Sequence, residues 1–327
     1  MASFDEPFPL DDLTLQVGAS IGVASFPEHG TTMEALRKNA DIAMYVAKRR
    51  GGGLAVFDSA RDKPDLDRLT TLSELRTAIR DDQLELHYQP IIDLASGNTR
   101  SLEALVRWNH PTRGLLGPTE FISLAEVSGL IRPLTRWVLD RALADVSQLH
   151  RSGFEPDLSV NISVRNLFEP HFVDEVEGAL QRHSVGPSSL KLEITETQVM
   201  DDPKLADAVL GRLGQLGVAG SVDDFGTGHS SLSNLQSLPI SEIKIDRSFV
   251  AQMSESDSAA TIVRSIVALG HNLGLTVVAE GVETNEHLTT LSLLGCDAAQ
   301  GYHLARPLSF EQVTAHMERY PAPTQLV

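Results

Sequence analysis

Asp223 and Asp224 stand side by side in the stretch SVDDFGTGHSS (221–231), at the end of an apolar run and directly before Gly-Thr-Gly. Successive side chains of a strand face opposite ways, so neighbouring aspartates inside one point apart. For both to reach one place, the strand must stop there and the glycines must release the backbone. Glu103, Asn161, Glu193, Lys244, Glu280 and Gln300 also lie in or at the end of short apolar runs. A single strand-end acid is explained by a helix cap or a surface lysine. Seven consecutive strands with the same habit point instead to one shared site.

The charges at such a site constrain its chemistry. Five carboxylates (Glu103, Glu193, Asp223, Asp224 and Glu280) meeting on one rim repel by ~4 kcal/mol per close pair at an effective dielectric of about 20. One lysine cannot offset that, so protons or divalent cations must. An all-oxygen donor set with one amide, and no clustered His or Cys, suits Mg²⁺ or Mn²⁺ over Zn²⁺. A bridging aspartate beside a second one is the usual means of holding two cations ~4 Å apart.

The elements that must position these residues are legible from periodicity. From Leu84 onward, short apolar strands alternate with amphipathic helices: 84–92, 101–108, 158–163, 190–196, 218–225, 242–249, 275–282 and 297–302 read as strands. This order predicts a TIM-like (β/α)₈ barrel, whose catalytic groups come from the C-terminal strand ends. The gap from Asp93 to Arg100 is too short for a crossover connection, so strand one is expected to run antiparallel to strand two. Residues 1–59 read as a small α+β piece: strands at 20–26 and 54–57 flank a helix opened by a Thr31/Glu34 capping box and stopped at Gly51. A connector helix over 60–83 carries a stripe of Leu66, Leu69, Leu72, Leu75 and Ile79, and 84–320 is left for the barrel.

Composition narrows the ligands. The 44 acidic and 27 basic side chains leave a net charge of −17, which argues against DNA as a partner. The single cysteine, Cys296, excludes an internal disulfide framework. No run approaches the ~20 apolar residues needed to span a bilayer, and the acidic start MASFDEPFPLDD is unlike a signal peptide. These features point to a cytoplasmic chain.

The motifs HYQPI, EALVRW, NIS, LEITE, DDFGTG, KIDRSF, VVAEGVET and QGY, in this order, resemble the EAL-domain family of cyclic-di-GMP phosphodiesterases over roughly residues 80–315. The resemblance implies a barrel with an antiparallel first strand, two Mg²⁺ or Mn²⁺ ions, and hydrolysis of cyclic-di-GMP to pGpG. Glu103, Asn161, Glu193 and Asp223 match ligands of one ion, and Asp223, Asp224 and Glu280 those of the other. Lys244 matches the lysine that positions the attacking water, with Glu283 and Gln300 around it. Gln89 and Arg107 match substrate contacts, and Glu196 the glutamate that steadies the DDFG loop, which in the family couples the ions to homodimerisation. Ca²⁺ is expected to bind without supporting turnover, because its longer bonds and looser geometry misplace the reacting groups. Two departures, His229 after GTG and the stretch HLARPL, touch none of these acids. SIGVASFPEHG and ADIAMYVAKRRGG resemble the end of a GGDEF domain whose signature turn lies outside residues 1–59, so no cyclase activity is expected of them.

Two other functions fit the residues less well. A catalytically silent module would bind the dinucleotide and signal without hydrolysis, but the acids are all present. A Schiff-base aldolase would use Lys244 as a nucleophile, yet Asp246 shares its face and is expected to keep the amine charged.

Overall fold

The computed structural model describes residues 8–10, 13–15, 18–49, 52–58, 63–228, 238–254 and 256–319. His229, the helix stop at Gly51 and the side chains of Leu66 and Leu69 lie outside them. The chain forms two compact units, Met1–Thr77 and Ala78–Val327. Their division falls between Thr77 and Ala78, inside a helix.

In the first unit, β1 (Phe8–Leu10) and β2 (Leu13–Leu15) form an antiparallel pair. β3 (Ser20–Val23), α1 (Met33–Arg49) and β4 (Gly53–Val56) then form a βαβ unit with parallel strands. Its core is Ile42, Ala43, Val46, Ala47, Ala55 and Phe57. Gly22 has to be glycine, since a Cβ there would stand 1.9 Å from the Ala40 carbonyl oxygen. α2 (Lys63–Arg80) follows.

The second unit is the expected barrel. β5 (Leu84–Asp93) and β6 (Thr99–His110) pair antiparallel, as the short gap between them requires. β7 (Gly114–Leu116) adds a short arm to β6. Then come α3 (Ile122–Ser128), α4 (Ile131–Arg151), β8 (Asp157–Asn161), α5 (Val164–Leu167) and α6 (Phe172–His183). β9 (Leu190–Thr195), α7 (Glu196–Asp201), α8 (Pro203–Leu216) and β10 (Ala219–Phe225) follow. β11 (Glu242–Ile245), α9 (Arg247–Gln252), α10 (Asp257–Asn272), β12 (Thr276–Ala279) and α11 (Asn285–Leu293) continue the alternation. β13 (Ala298–Ala299) closes the ring, and β14 (Leu308–Ser309) and α12 (Phe310–Arg319) end it. Around the ring the order is β5-β6-β8-β9-β10-β11-β12-β13, parallel from β6 to β13 and antiparallel on both sides of β5. Among the described residues, no helix is long and apolar enough to cross a membrane.

Several strands are shorter than the apolar pattern suggests. The run EIKIDRSF stops being strand at Ile245, because Asp246 caps α9 by accepting the Ser248 N–H at 3.0 Å. The last strand shrinks to Ala298–Ala299, after which the backbone folds against Val282: Val282 N donates to Gln300 O at 3.0 Å and His303 N to Val282 O at 3.0 Å. Gly301 permits that approach, since a Cβ on it would lie 2.1 Å from the Val282 carbonyl oxygen. Beneath the strand ends, the interior is apolar on one side, where Ile91, Val278 and Ala298 pack together fully buried. Gly301→Ala should therefore cost stability near the top of the ~1–3 kcal/mol range for overpacking, read as a lower denaturation midpoint in urea.

Candidate active site

The question raised by Asp223 and Asp224 has a local answer. β10 pairs with β11 through Ser221↔Glu242 and Val222↔Ile243, then resumes only at Phe225↔Ile245. Two residues, Asp223 and Asp224, thus stand opposite one, Lys244. Such a bulge is rare in a parallel pair and re-aims the side chains beside it. Asp224 takes the left-handed conformation with φ 54°, which Asp tolerates better than most residues. The backbone is therefore released at Asp224 itself, two residues before the first glycine expected to do it. The glycines serve the next turn, where Glu196 accepts the amide N–H groups of Gly226 at 2.7 Å and Gly228 at 3.3 Å.

The structure gathers most of the expected residues around one ammonium. Lys244, fully buried, has its Nζ 2.6 Å from Glu280, 2.8 Å from Glu193, and 3.5 Å from both Glu103 and Asp223. Asn161 Nδ2 donates to Glu103 Oε1 at 2.7 Å. Gln300 Nε2 donates to Glu103 Oε2 at 2.6 Å and to Gln89 Oε1 at 3.0 Å. Gln89 in turn donates to the Ala305 carbonyl at 3.0 Å. Carboxylate oxygens of Asp223, Asp224 and Glu280 all lie within 4.8 Å of one another. Asp246 is not what holds Lys244 charged; it caps α9 and bears on Asp224 instead.

Electrostatics follows from four acids around one base. Burial would lower the Lys244 ammonium, but Glu103, Glu193, Glu280 and Asp223 together raise it well above its ordinary value. Burial would raise Glu103, yet Lys244 and the hydrogen bonds from Gln300 and Asn161 hold it below the usual range. The acids less well served are shifted the other way. Glu193 is pushed well up by burial and by Glu103 and Asp223, against Lys244. Glu280 is pushed up to about 8, first by burial. Asp224 is pushed up to about 6 by burial, then by Asp223 and Asp246. Glu193 Oε1 is buried and has no hydrogen-bond partner. Convergent oxygens, excess negative charge and an orphaned carboxylate oxygen are what a divalent cation needs.

Two adjoining cavities open on this cluster. One of about 230 Å³ is lined by Gln89, Glu103, Asp223, Glu280, Glu283 and Gln300, and also by Arg247 and Tyr302. The other, about 610 Å³, shares Leu105 and Asp223 with it and runs along Pro118, Ile122, Glu126, Asn161, Ser163 and Gln198. Glu283 is exposed on the rim. Arg107 lines neither cavity: its Nη1 donates to the Val106 carbonyl at 2.9 Å. Sequence reasoning missed Arg247 and Tyr302 as wall residues. Arg247 is within reach of that reasoning, being the second basic residue of the quoted KIDRSF run after Lys244; Tyr302 ends the quoted QGY run, and Arg306 stacks on its ring at 4.5 Å.

A barrel of this topology, with such a cluster at its strand ends, belongs to a known class: the chain is a member of the EAL domain family, whose sequence pattern matches residues 72–307. Residues 1–53 match the GGDEF domain of diguanylate cyclases. Among curated relatives, the cyclic di-GMP phosphodiesterase NbdA of Pseudomonas aeruginosa is 44% identical over 322 residues, covering 98% of this chain and 41% of NbdA. The cyclic di-GMP phosphodiesterase PdeR of Escherichia coli is 38% identical over 315 residues, 96% of this chain and 48% of PdeR. The chain thus spans less than half the length of these two relatives. Of solved structures, the PaMucR phosphodiesterase in complex with c-di-GMP superposes with TM-score 0.72 at 44% identity, covering 74% of this chain and 98% of that one.

The raised carboxyls fix a sign. The folded chain holds protons on Glu193, Glu280 and Asp224 that the unfolded chain has released, so these groups cost stability as pH climbs from their unfolded values near 4 towards about 8. The metal-free protein should accordingly melt lower at pH 8 than at pH 5.5. Added Mn²⁺ should raise the melting temperature more at pH 8, where fewer protons must leave; calorimetry at both pH values checks this.

Proposed function

We propose that this chain hydrolyses cyclic-di-GMP to linear pGpG with the help of two divalent cations, Mg²⁺ or Mn²⁺. The observation that carries this reading is the convergence of Glu103, Glu193, Asp223 and Glu280 on Lys244, with Asp224 beside them. Glu103, Asn161, Glu193 and Asp223 would hold one cation; Asp223, Asp224 and Glu280 would hold the other. Once bound, the cations would supply Lewis acidity to the phosphate and lower the pKa of the attacking water.

The protein's own groups have separable tasks. Lys244 stays protonated and acts as a fixed positive charge that orients the water and stabilises charge growing on the phosphate. The same protonation makes it a poor amine nucleophile, which counts against an aldolase. Gln300 ties Glu103 to Gln89, so the acid and a substrate contact move together. Gln89 would meet the substrate from the cavity wall, and Arg107, two residues beyond Leu105, would reach it only by leaving the Val106 carbonyl. Glu283 lies on the rim, next to the polar groups of the reaction. Glu196 fixes the turn after Asp224 and, through it, links the site to a homodimer contact of the barrel. The barrel domain is taken as 84–320, reached through the connector helix over 60–83. Residues 1–59 play no part in the reaction, and the buried lone thiol of Cys296 accords with a cytoplasmic setting.

Incubation with cyclic-di-GMP and Mg²⁺ should yield pGpG on chromatography, Ca²⁺ should give binding without product, and excess chelator should stop the reaction. Binding with no product under Mg²⁺ or Mn²⁺ would instead mark a silent signalling module. Asp223→Asn should abolish turnover more completely than Asp224→Asn. Both aspartates would hold the second cation, but only Asp223 also stands within 3.5 Å of Lys244. Equal losses in initial rate would remove the case for a bridging Asp223.

A further inference from the structure

A second buried ion pair lies inside the barrel, two residues nearer the N-terminal strand ends than the first. Lys191 Nζ donates to Glu242 Oε2 at 2.5 Å, and Ser221 Oγ donates to Glu242 Oε1 at 3.1 Å. Residues i and i+2 of a strand share a face, so Lys191 lies under Glu193 on β9, and Glu242 under Lys244 on β11. The signs alternate: plus then minus up β9, minus then plus up β11. Lys191 and Glu242 are 7% and 1% exposed, so neither charge is served by solvent.

The pair reaches across a strand. β9 and β11 are not neighbours; β10 runs between them, which puts their axes ~10 Å apart at the usual strand spacing. At the Asp223–Asp224 bulge the β10–β11 ladder skips Lys244, so at that level the backbone holds Lys244 in register from the β12 side, through Lys244↔Val278, and not from β10. The Lys191–Glu242 bridge, with Ser221 as its middle support, clamps the three strands just below that break. It sits in the polar half of the interior, where Ser101 Oγ and Ser159 Oγ are buried without partners, opposite the apolar Ile91–Val278–Ala298 plug. Stability alone is a poor reason for such a pair, because well-packed apolar replacements of buried ion pairs are often neutral or stabilising.

We propose that Lys191 and Glu242 are positioning residues for the divalent-cation site: their bridge beneath the bulge sets the relative height of β9 and β11, and thereby brings Glu193 and Lys244 into place against Asp223. The inference rests on the two-cation reading above. In the full chain, the double variant K191M/E242M removes both charges and leaves neither unpaired. It should fold, with a melting temperature equal to or above wild type. Its Mn²⁺ dissociation constant, measured by calorimetric titration, should rise about tenfold or more, as for other groups that orient metal ligands. Equal Mn²⁺ affinity in wild type and folded double variant overturns the positioning role, while a wild type that binds no Mn²⁺ overturns the two-cation reading instead. Should the double variant not fold, E242D decides: it keeps both charges but shortens the reach across β10 by one methylene. Weakened Mn²⁺ binding in E242D supports the bridge; unchanged binding refutes it.

Discussion

The ammonium of Lys244 is the point on which this barrel's upper half is assembled. Four carboxylates, on β6, on β9, in the β10 bulge and directly after β12, lie within 3.5 Å of it. A charge so buried costs several kcal/mol unless it is paired, and each of these acids would be costly without it. The mutual dependence explains why β9, β10, β11 and β12 all end within two residues of the charged group each brings to the cluster. It also leaves an imbalance: one positive charge cannot serve all the acids, and the carboxyls of Glu193, Glu280 and Asp224 are pushed above their ordinary range. A cluster balanced by its own lysine alone would have no use for a cation; this one is left short of positive charge.

The bulge is the second constraint. A regular β10 would have sent Asp223 and Asp224 to opposite faces. Placing both opposite Lys244 breaks the ladder and puts a non-glycine residue at φ 54°. Glu196 then holds the amides of Gly226 and Gly228, so the irregular segment is pinned from β9's side as it leaves the strand.

Much of this was legible in the sequence because a charge inside an apolar, strand-length run has few bland explanations. Glu103, Glu193, Asp223, Lys244, Glu280 and Gln300 stood out for that reason, and the (β/α)₈ order followed from alternation of the two periodicities. The short Asp93–Arg100 gap even gave the direction of the first strand. What escaped was geometry settled between strands. φ preferences alone favour Gly and so point to the glycines, whereas the release falls at Asp224. Parity along one strand pairs Asp246 with Lys244, but the strand ends at Ile245 and the aspartate turns to cap a helix. The Lys191–Glu242 pair left only a faint signal, each residue two places before a noticed one, because its meaning depends on a crossing over β10 that no single strand records.

The reversed direction of β5 has a consequence for access to the barrel. In an all-parallel barrel the chain enters at the floor, the end away from the chemistry. Here Leu84 pairs with Trp108 near the C-terminal end of β6, and Gln83 is tied to the same place by the Trp108 indole at 3.3 Å and the Asn109 amide at 2.8 Å. The polypeptide therefore comes in at the mouth. From Leu84, ~17 Å of extended strand leads straight to Gln89, the partner of Gln300. Entrance and acid-bearing rim are one and the same end of the barrel, and the first strand is at once doorway and wall.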